Sequence, residues 1–314
     1  LNICDSVYTN IVIFSIFYKT RFIMDLGRIS IVTIGSHDLD SMIEAYRDYL
    51  GYRLTKTGKI TKEEATHWQA KNLTDSEYVI LQPEESDDFS FRFIQQPNQP
   101  DYIPFKSEGW NAAELIVQNV DKLSEELIDS PFEIIGPPAD LSFNKNIRAM
   151  QIIGPAKEIL YLTEFKKKIP EFDSPVPRCF VDKTFIVILA GKSLEAMQIY
   201  FHDHFLIAKA PIIKSRIRSI SRVFDLPEET QYQAAAMTLR DQCFIELDEL
   251  PKEGISRVSI DGYLPSGIAM VSFLCYKEPK HINNLYPSHL PGLESSSCSM
   301  EEGSVGEFIE LIYC

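Results

Sequence analysis

Apolar and polar positions along this chain change their period repeatedly, and each change marks an element. A β-branched run from Ile31 to Gly35 predicts a strand. From Leu39 to Leu50 the residues Leu39, Met42, Ile43, Tyr46, Tyr49 and Leu50 recur at helical spacing, and Gly51 follows where a left-handed helix cap belongs. Strands are predicted next at Tyr78–Gln82 and Phe89–Gln95. A second strand and helix begin in "WNAAELIVQNVDKLSEELI", and further strands are predicted at Ala149–Ile153 and Ile159–Glu164. The order is βαβββ, twice.

The pattern then restarts. "FIVILAGKSLEAMQIYFHDHF" lies over the opening stretch, with Leu194 matching Leu39, Met197 matching Met42 and Asp203 matching Asp48 at one constant spacing. A recurrence this long marks a duplicated unit. The last module is compressed into "GIAMVSFLC", a Ser/Pro/Gly-rich stretch around 287–304, and a closing "GEFIELI". The basic, proline-bearing "KKKIPEFDSPVP" reads as a linker. The expected organisation is a first domain over 24–165, a linker over 166–177 and a second domain over 178–314. Residues 1–23 are expected to be an extension without functional part, because the recognisable pattern starts only after Met24. Their apolar run Ile11–Phe17 is far shorter than the ~20 residues that span a bilayer, and its basic residues follow it, where a signal peptide would carry them first. A chain starting at Met24 is expected to melt within about 2 °C of the full one. A loss of ~8 °C would mean that this run packs into the body.

Charge narrows the function classes. A net charge of −14 disfavours nucleic acid, whose binding rests on cationic side chains meeting phosphates, and it disfavours anionic membrane surfaces. The six cysteines form no CxxC pair and no tight framework, so free thiols and a cytoplasmic location are expected.

The segments "IVTIGSHDL…YRDYLG", "GPAKEILYL", "CFIELD" and "GEFIELI" resemble the vicinal-oxygen-chelate superfamily, which includes glyoxalase I, extradiol dioxygenases and bleomycin-resistance proteins. The resemblance implies an α+β fold of two tandem glyoxalase-like domains, four βαβββ modules whose curved mixed sheets surround cavities. It also implies metal ligands, usually His or Gln on a module's first strand and Glu on its last. The matching positions here carry Ile31, Arg92, Ala112 and Tyr161 in the first domain. In the second they carry Ile186, Glu246, Met270 and Glu310. An arginine repels a cation, and a catalytic metal draws on about three protein ligands. The expectation is therefore no metal, with Glu246 and Glu310 the residues to hold a weak divalent ion if one binds.

Strand alternation places candidates independently of the resemblance. Phe89, Phe91 and Phe93 share one face of their strand, so Ser90 and Arg92 face the concavity. The same alternation points Ile31, Thr33, Ala112, Glu114, Ile159 and Tyr161 inward. Arg92 reads either as a fork for a ligand carboxylate or phosphate, or as an internal ion-pair partner of Glu114. Tyr161 reads as a proton-moving phenol or as an aromatic filling space. Trp68 beside His67 reads as a stacking wall with a base, or as part of a half-exposed helix. His202 and His204, two apart on a helix, point away from one another and are expected to be solvated.

The resulting expectation is a protein that binds a small, anionic organic molecule through Arg92, Thr33 and Trp68 without the usual metal. As an enzyme it would be a metal-independent isomerase or lyase using Glu114 and Tyr161. The alternatives are a metal-dependent glyoxalase or dioxygenase acting through the second domain, and a non-catalytic binding or resistance protein. No nucleic-acid or membrane partner is expected, and a homodimer is an arrangement the resemblance allows.

Overall fold

The structure, a computed structural model, describes residues 26–141, 144–169, 173–276 and 285–314. The first 25 residues, and with them the proposed extension, lie outside the described residues.

The first module runs β1 (Leu26–Ser36), α1 (Leu39–Leu50), β2 (Tyr52–Lys59), α2 (Lys62–His67), β3 (Glu77–Pro83) and β4 (Ser90–Gln95). The second runs β5 (Gly109–Val117), α3 (Val120–Glu126), β6 (Glu133–Asp140), β7 (Ile147–Ile153) and β8 (Ile159–Phe165). The third repeats the first as β9 (Val181–Gly191), α4 (Leu194–Phe205), β10 (Ile213–Arg216), α5 (Arg218–Val223), β11 (Gln231–Thr238) and β12 (Phe244–Glu249). The fourth has β13 (Ile268–Cys275), β14 (Tyr286–Pro287), β15 (Ser297–Glu302) and β16 (Phe308–Tyr313), with no helix among its described residues. No helix among the described residues is long and apolar enough to cross a membrane.

The duplication extends to the caps. Asp38 caps α1 by accepting from the Ser41 amide, and Ser193 caps α4 by accepting from the Ala196 amide. The helix ends differ in chemistry. Gly51 takes the left-handed cap of α1 at φ 70°, whereas Leu206 takes that of α4 at φ 51°. A side chain with a Cβ is strained there. Leu206→Gly is therefore expected to stabilise the fold by about 0.5–1 kcal/mol, read as a small rise in melting temperature. A fall would show that the partly exposed Leu206 side chain contributes more than the strain costs.

Strand pairing crosses between the two halves of the chain. Two eight-stranded mixed sheets form, one ordered β14-β15-β16-β13-β1-β4-β3-β2 and the other β10-β11-β12-β9-β5-β8-β7-β6. Module one thus lies beside module four through β1 and β13, and module two beside module three through β5 and β9. The result is two curved units built from four modules, three of which carry a helix after their first strand among the described residues.

One apolar core joins the units on their helix-covered faces. It includes Phe89, Phe91 and Phe93 of the first module, with Leu115, Val187 and Phe273 from the other three. The Tyr46 ring of α1 stands edge-on to Phe91 and Phe93, at 5.0 and 4.7 Å between centroids. Hydrogen bonds stitch across the seam. The Trp110 indole donates to the Phe308 carbonyl at 2.8 Å, and the Tyr52 hydroxyl donates to that of Asp182 at 2.7 Å. The two concave faces hold separate, smaller cores, and they carry the polar residues of interest.

Candidate functional site

The concave face of the β1–β4–β13–β16 sheet is closed by its own side chains. Register places Arg92 beside Thr33, and Ser272 beside both Ile31 and Glu310. Arg92 and Glu310 are each 1% exposed, and they meet in a two-pronged ion pair, Nη2 to Oε2 at 3.1 Å and Nη1 to Oε1 at 3.4 Å. The Arg92 Nε donates to the Thr33 hydroxyl at 3.0 Å. The guanidinium lies over the Trp68 ring, 4.7 Å from its centroid. Ser272 and Tyr286 donate their hydroxyls to Glu310.

Beyond Arg92 the network continues to His289, whose Nδ1 lies 3.4 Å from Nη1 and whose Nε2 lies 2.6 Å from Glu64 Oε1. The imidazole is stacked on Tyr78 at 4.1 Å. Glu64 also accepts from the Thr61 amide, closing a capping box on α2. Burial works against the Glu64 carboxylate, but the bonds from His289 and Thr61 outweigh it and hold its pKa at about 2. Burial drives the His289 pKa down despite Glu64. Arg92 and Glu310 meet one another and Glu64 is hydrogen-bonded, so this face is a closed interior, in which Trp68 Nε1 and the Ser90 hydroxyl are the polar atoms left without a partner among the described residues.

The opposite face, of the β5–β8–β9–β12 sheet, is different in kind. Register aligns Tyr161 with Glu114, Glu114 with Ile186, and Ile188 with both Ala112 and Glu246. Asp248, two residues beyond Glu246, shares its face of β12. Glu114, Tyr161, Ile186 and Glu246 each keep part of the side chain exposed, whereas the groups closing the first face are buried. Around them lie Ile135, Ile153, Tyr232 and Phe224.

No arginine or lysine neutralises these acids; among the described residues no ion pair involves Glu114, Glu246 or Asp248. The Thr163 hydroxyl donates to Glu114 Oε1 at 2.6 Å. Burial, with the Glu246 charge adding to it, lifts the Glu114 carboxyl to about 8. Burial lifts Glu246 to about 6, and burial plus the Glu246 charge pushes Asp248 well above the carboxylate range. Tyr161 is pushed well above its ordinary value by burial and then by Asp248 and Glu246.

The structure therefore divides the residues that the sequence gathered into one site. Arg92, Thr33 and Trp68 stand together on the first face, while Glu114 and Tyr161 stand together on the second. Arg92 pairs with Glu310, not Glu114, because β1 lies against β13 rather than β5. For the same reason Glu246 and Glu310 lie in different sheets and cannot share an ion. Trp68 is fully buried, correcting the half-exposed helix: α2 ends at His67, and the following turn directs the indole inward onto Arg92. His202 and His204 lie at the solvated end of α4, as their spacing implies. Sequence reasoning passed over His289, Glu64 and Asp248. Only the last two carried a signal, a capping-box spacing from Thr61 and an alternation from Glu246.

The positions that the resemblance assigns to a metal do not fit one. A guanidinium fills the first face, and an ammonium or guanidinium repels a divalent ion at such range. On the second face Glu246 stands with Ala112, Ile186 and Tyr161. Among the described residues no three His, Cys, Asp or Glu side chains are arranged to hold an ion.

No protein-family model matches the sequence, and no curated protein matches it. Solved structures do share the fold. Glyoxalase I from Zea mays superposes with a TM-score of 0.59 at 15% identity, covering 91% of this chain and 92% of its own. A putative dioxygenase from Bacillus subtilis superposes at 0.56 and 10% identity, covering 92% of this chain and 86% of its own. Identities this low speak for the fold alone.

Proposed function

We propose that this chain, which has the vicinal-oxygen-chelate fold shared by glyoxalase I, binds a small organic molecule on the concave face of the β5–β8–β9–β12 sheet and moves a proton on it without a protein-bound metal. The observation that carries this reading is the placement of Glu114 and Glu246 on one concave face, near enough for the Glu246 charge to act on Glu114, with burial lifting the two to about 8 and about 6. At neutral pH one keeps its proton and the other has lost it. Two carboxyls with their pKa values pushed apart in this way form an acid and a base for an isomerisation or elimination. Tyr161, next to Glu114 across β5 and β8, is a neutral hydrogen-bond donor to the bound molecule.

Arg92 has no part in that site. Its charge is committed to Glu310 and is not free to hold an anion, and the reading moves from anionic ligands to the chemistry of the carboxyls.

The test is a ¹³C-carboxyl NMR titration. The Glu246 and Glu114 resonances are expected to titrate near 6 and 8, and because Glu246 interacts with Asp248 the values read are macroscopic. Glu246→Gln should bring the Glu114 value down, since the Glu246 charge contributes to raising it. Any turnover should follow a bell-shaped pH profile with limbs at the same two values. If both carboxyls titrate between 4 and 5 in ordinary fashion, the acid–base reading fails.

A further inference from the structure

The duplicated modules allow the two concave faces to be compared strand by strand. On β4, Arg92 pairs with Thr33 of β1; at the matching place on β12, Glu246 pairs with Ile188 of β9. On β16, Glu310 pairs with Ser272 of β13; at the matching place on β8, Tyr161 pairs with Glu114 of β5. The first face thus carries a cation as one of its own side chains. The second carries acids at or beside the same places, and no ion pair neutralises them among the described residues.

We propose that the second face binds an organic cation, an ammonium group borne on an apolar or aromatic body. The assignment rests on the proposed ligand-binding role of this face and narrows it to a substrate class.

Three observations carry it. Glu114, Glu246 and Asp248 share this face, and none of them is in an ion pair among the described residues. One deeply buried polar atom beside Glu246 and Tyr161 has no hydrogen-bond partner among the described residues, Asp248 Oδ1, on a residue 4% exposed. An orphaned acceptor at such depth is costly unless a donor meets it. An ammonium brings three N–H donors and a positive charge, and no acceptor of its own. The surrounding walls suit the rest of such a ligand. Ile135, Ile153 and Ile186 offer apolar surface, and Tyr161, Tyr232 and Phe224 offer ring faces that attract a cation. A bare metal ion is served less well, because no three of the acids are arranged as a ligand set.

The experiment is calorimetric titration of the full chain at pH 7.5 with 2-phenylethylammonium, its neutral counterpart 2-phenylethanol, the anionic 3-phenylpropionate, and Mn²⁺ alone. The ammonium is expected to bind at least tenfold more tightly than the alcohol, with no measurable binding of the carboxylate. Glu246→Gln, which keeps the shape of the side chain and removes the charge present at this pH, should weaken the ammonium at least tenfold and bring its affinity down towards that of the alcohol. Because that variant could disturb folding, its melting curve is recorded beside the titration, and the comparison of ligands on the unaltered protein stands without it. Alcohol binding as tight as the ammonium overturns the cation assignment and leaves the small-molecule reading in place. So does preferential binding of the carboxylate. Binding of Mn²⁺ in preference to every organic probe overturns both. Failure of all four to bind overturns the cation assignment for ligands of this size, and the NMR titration of Glu114 and Glu246 then decides the acid–base reading separately.

Discussion

Arg92→Met is expected to destabilise the fold by about 3–5 kcal/mol, the cost of leaving a buried charge without its partner. Arg92 and Glu310 are each 1% exposed, so water cannot take over for either. Removing the guanidinium strips two prongs from Glu310, one donor from Thr33 and the cation from the Trp68 face. Ser272 and Tyr286 still donate to Glu310, which softens the loss without neutralising the charge. Arg92→Lys should recover only part of the stability, because one ammonium cannot reach Thr33, span both carboxylate oxygens and lie flat on an indole. The double variant Arg92→Met/Glu310→Leu should recover most of it, since a buried pair replaced by apolar groups of similar volume is often neutral or better. Urea unfolding of the parent, Arg92→Met, Glu310→Leu and the double variant gives the cycle, with Arg92→Lys measured beside it. A double variant as unstable as Arg92→Met alone would mean that the ion pair does not close this interior.

Much of this architecture is legible in the alternation of residues. The 12-residue helices α1 and α4 end where the sequence periodicity ends, and the alternation of Phe89, Phe91 and Phe93 correctly places Arg92 on the concave side. The strand β2 was not singled out, because Tyr52–Lys59 is largely polar and exposed and so carries little periodic signal. What alternation cannot supply is the neighbour. It fixes the face on which Arg92 stands, but β5 and β13 are both short apolar strands, and nothing in their pattern tells β1 which of them to join. The partner of Arg92 depended on that choice, and so did the division of one expected site into two. His289 lay beyond reach for a different reason: it comes from a loop, and only the fold brings it between Arg92 and Glu64.

The stability of the whole chain is expected to fall by several kcal/mol between pH 5 and pH 8, and Glu158 and Glu307 add to that fall alongside the raised acids of the second face. The two residues close equivalent turns, "GPAKE" before β8 and "GSVGE" before β16. Each side chain folds back over the turn glycine so closely that a Cβ on Gly154 or Gly303 would collide with it. Glu158 accepts from the Ala156 amide and the Tyr46 hydroxyl, both at 2.9 Å, and Glu307 accepts from the Val305 amide at 2.9 Å. Neither meets a cation, and burial lifts both carboxyls to about 7. The sign follows from linkage. Below the ordinary value of 4.5 both folded and unfolded chains hold these protons, and there is no penalty. As pH rises past it the unfolded chain releases them first, so stability drops until the folded groups ionise near 7. Each pH unit in that window costs about 1.4 kcal/mol per group, or about 3 kcal/mol for each carboxyl over the whole interval. Glu64 and His289 act in the opposite direction: the depressed Glu64 value removes stability as pH falls from 4.5 towards about 2, and the depressed His289 value removes it as pH falls below the ordinary 6.5. Maximal stability should accordingly lie near pH 5. Glu158→Gln, a neutral mimic of the protonated acid, should raise stability at pH 8 by about 1–3 kcal/mol and change little at pH 4.5. Urea unfolding of both proteins across this range is the measurement. A curve that is level or rising from pH 5 to 8, or a glutamine variant no more stable than the parent at pH 8, would show that these two carboxyls ionise without cost in the folded chain.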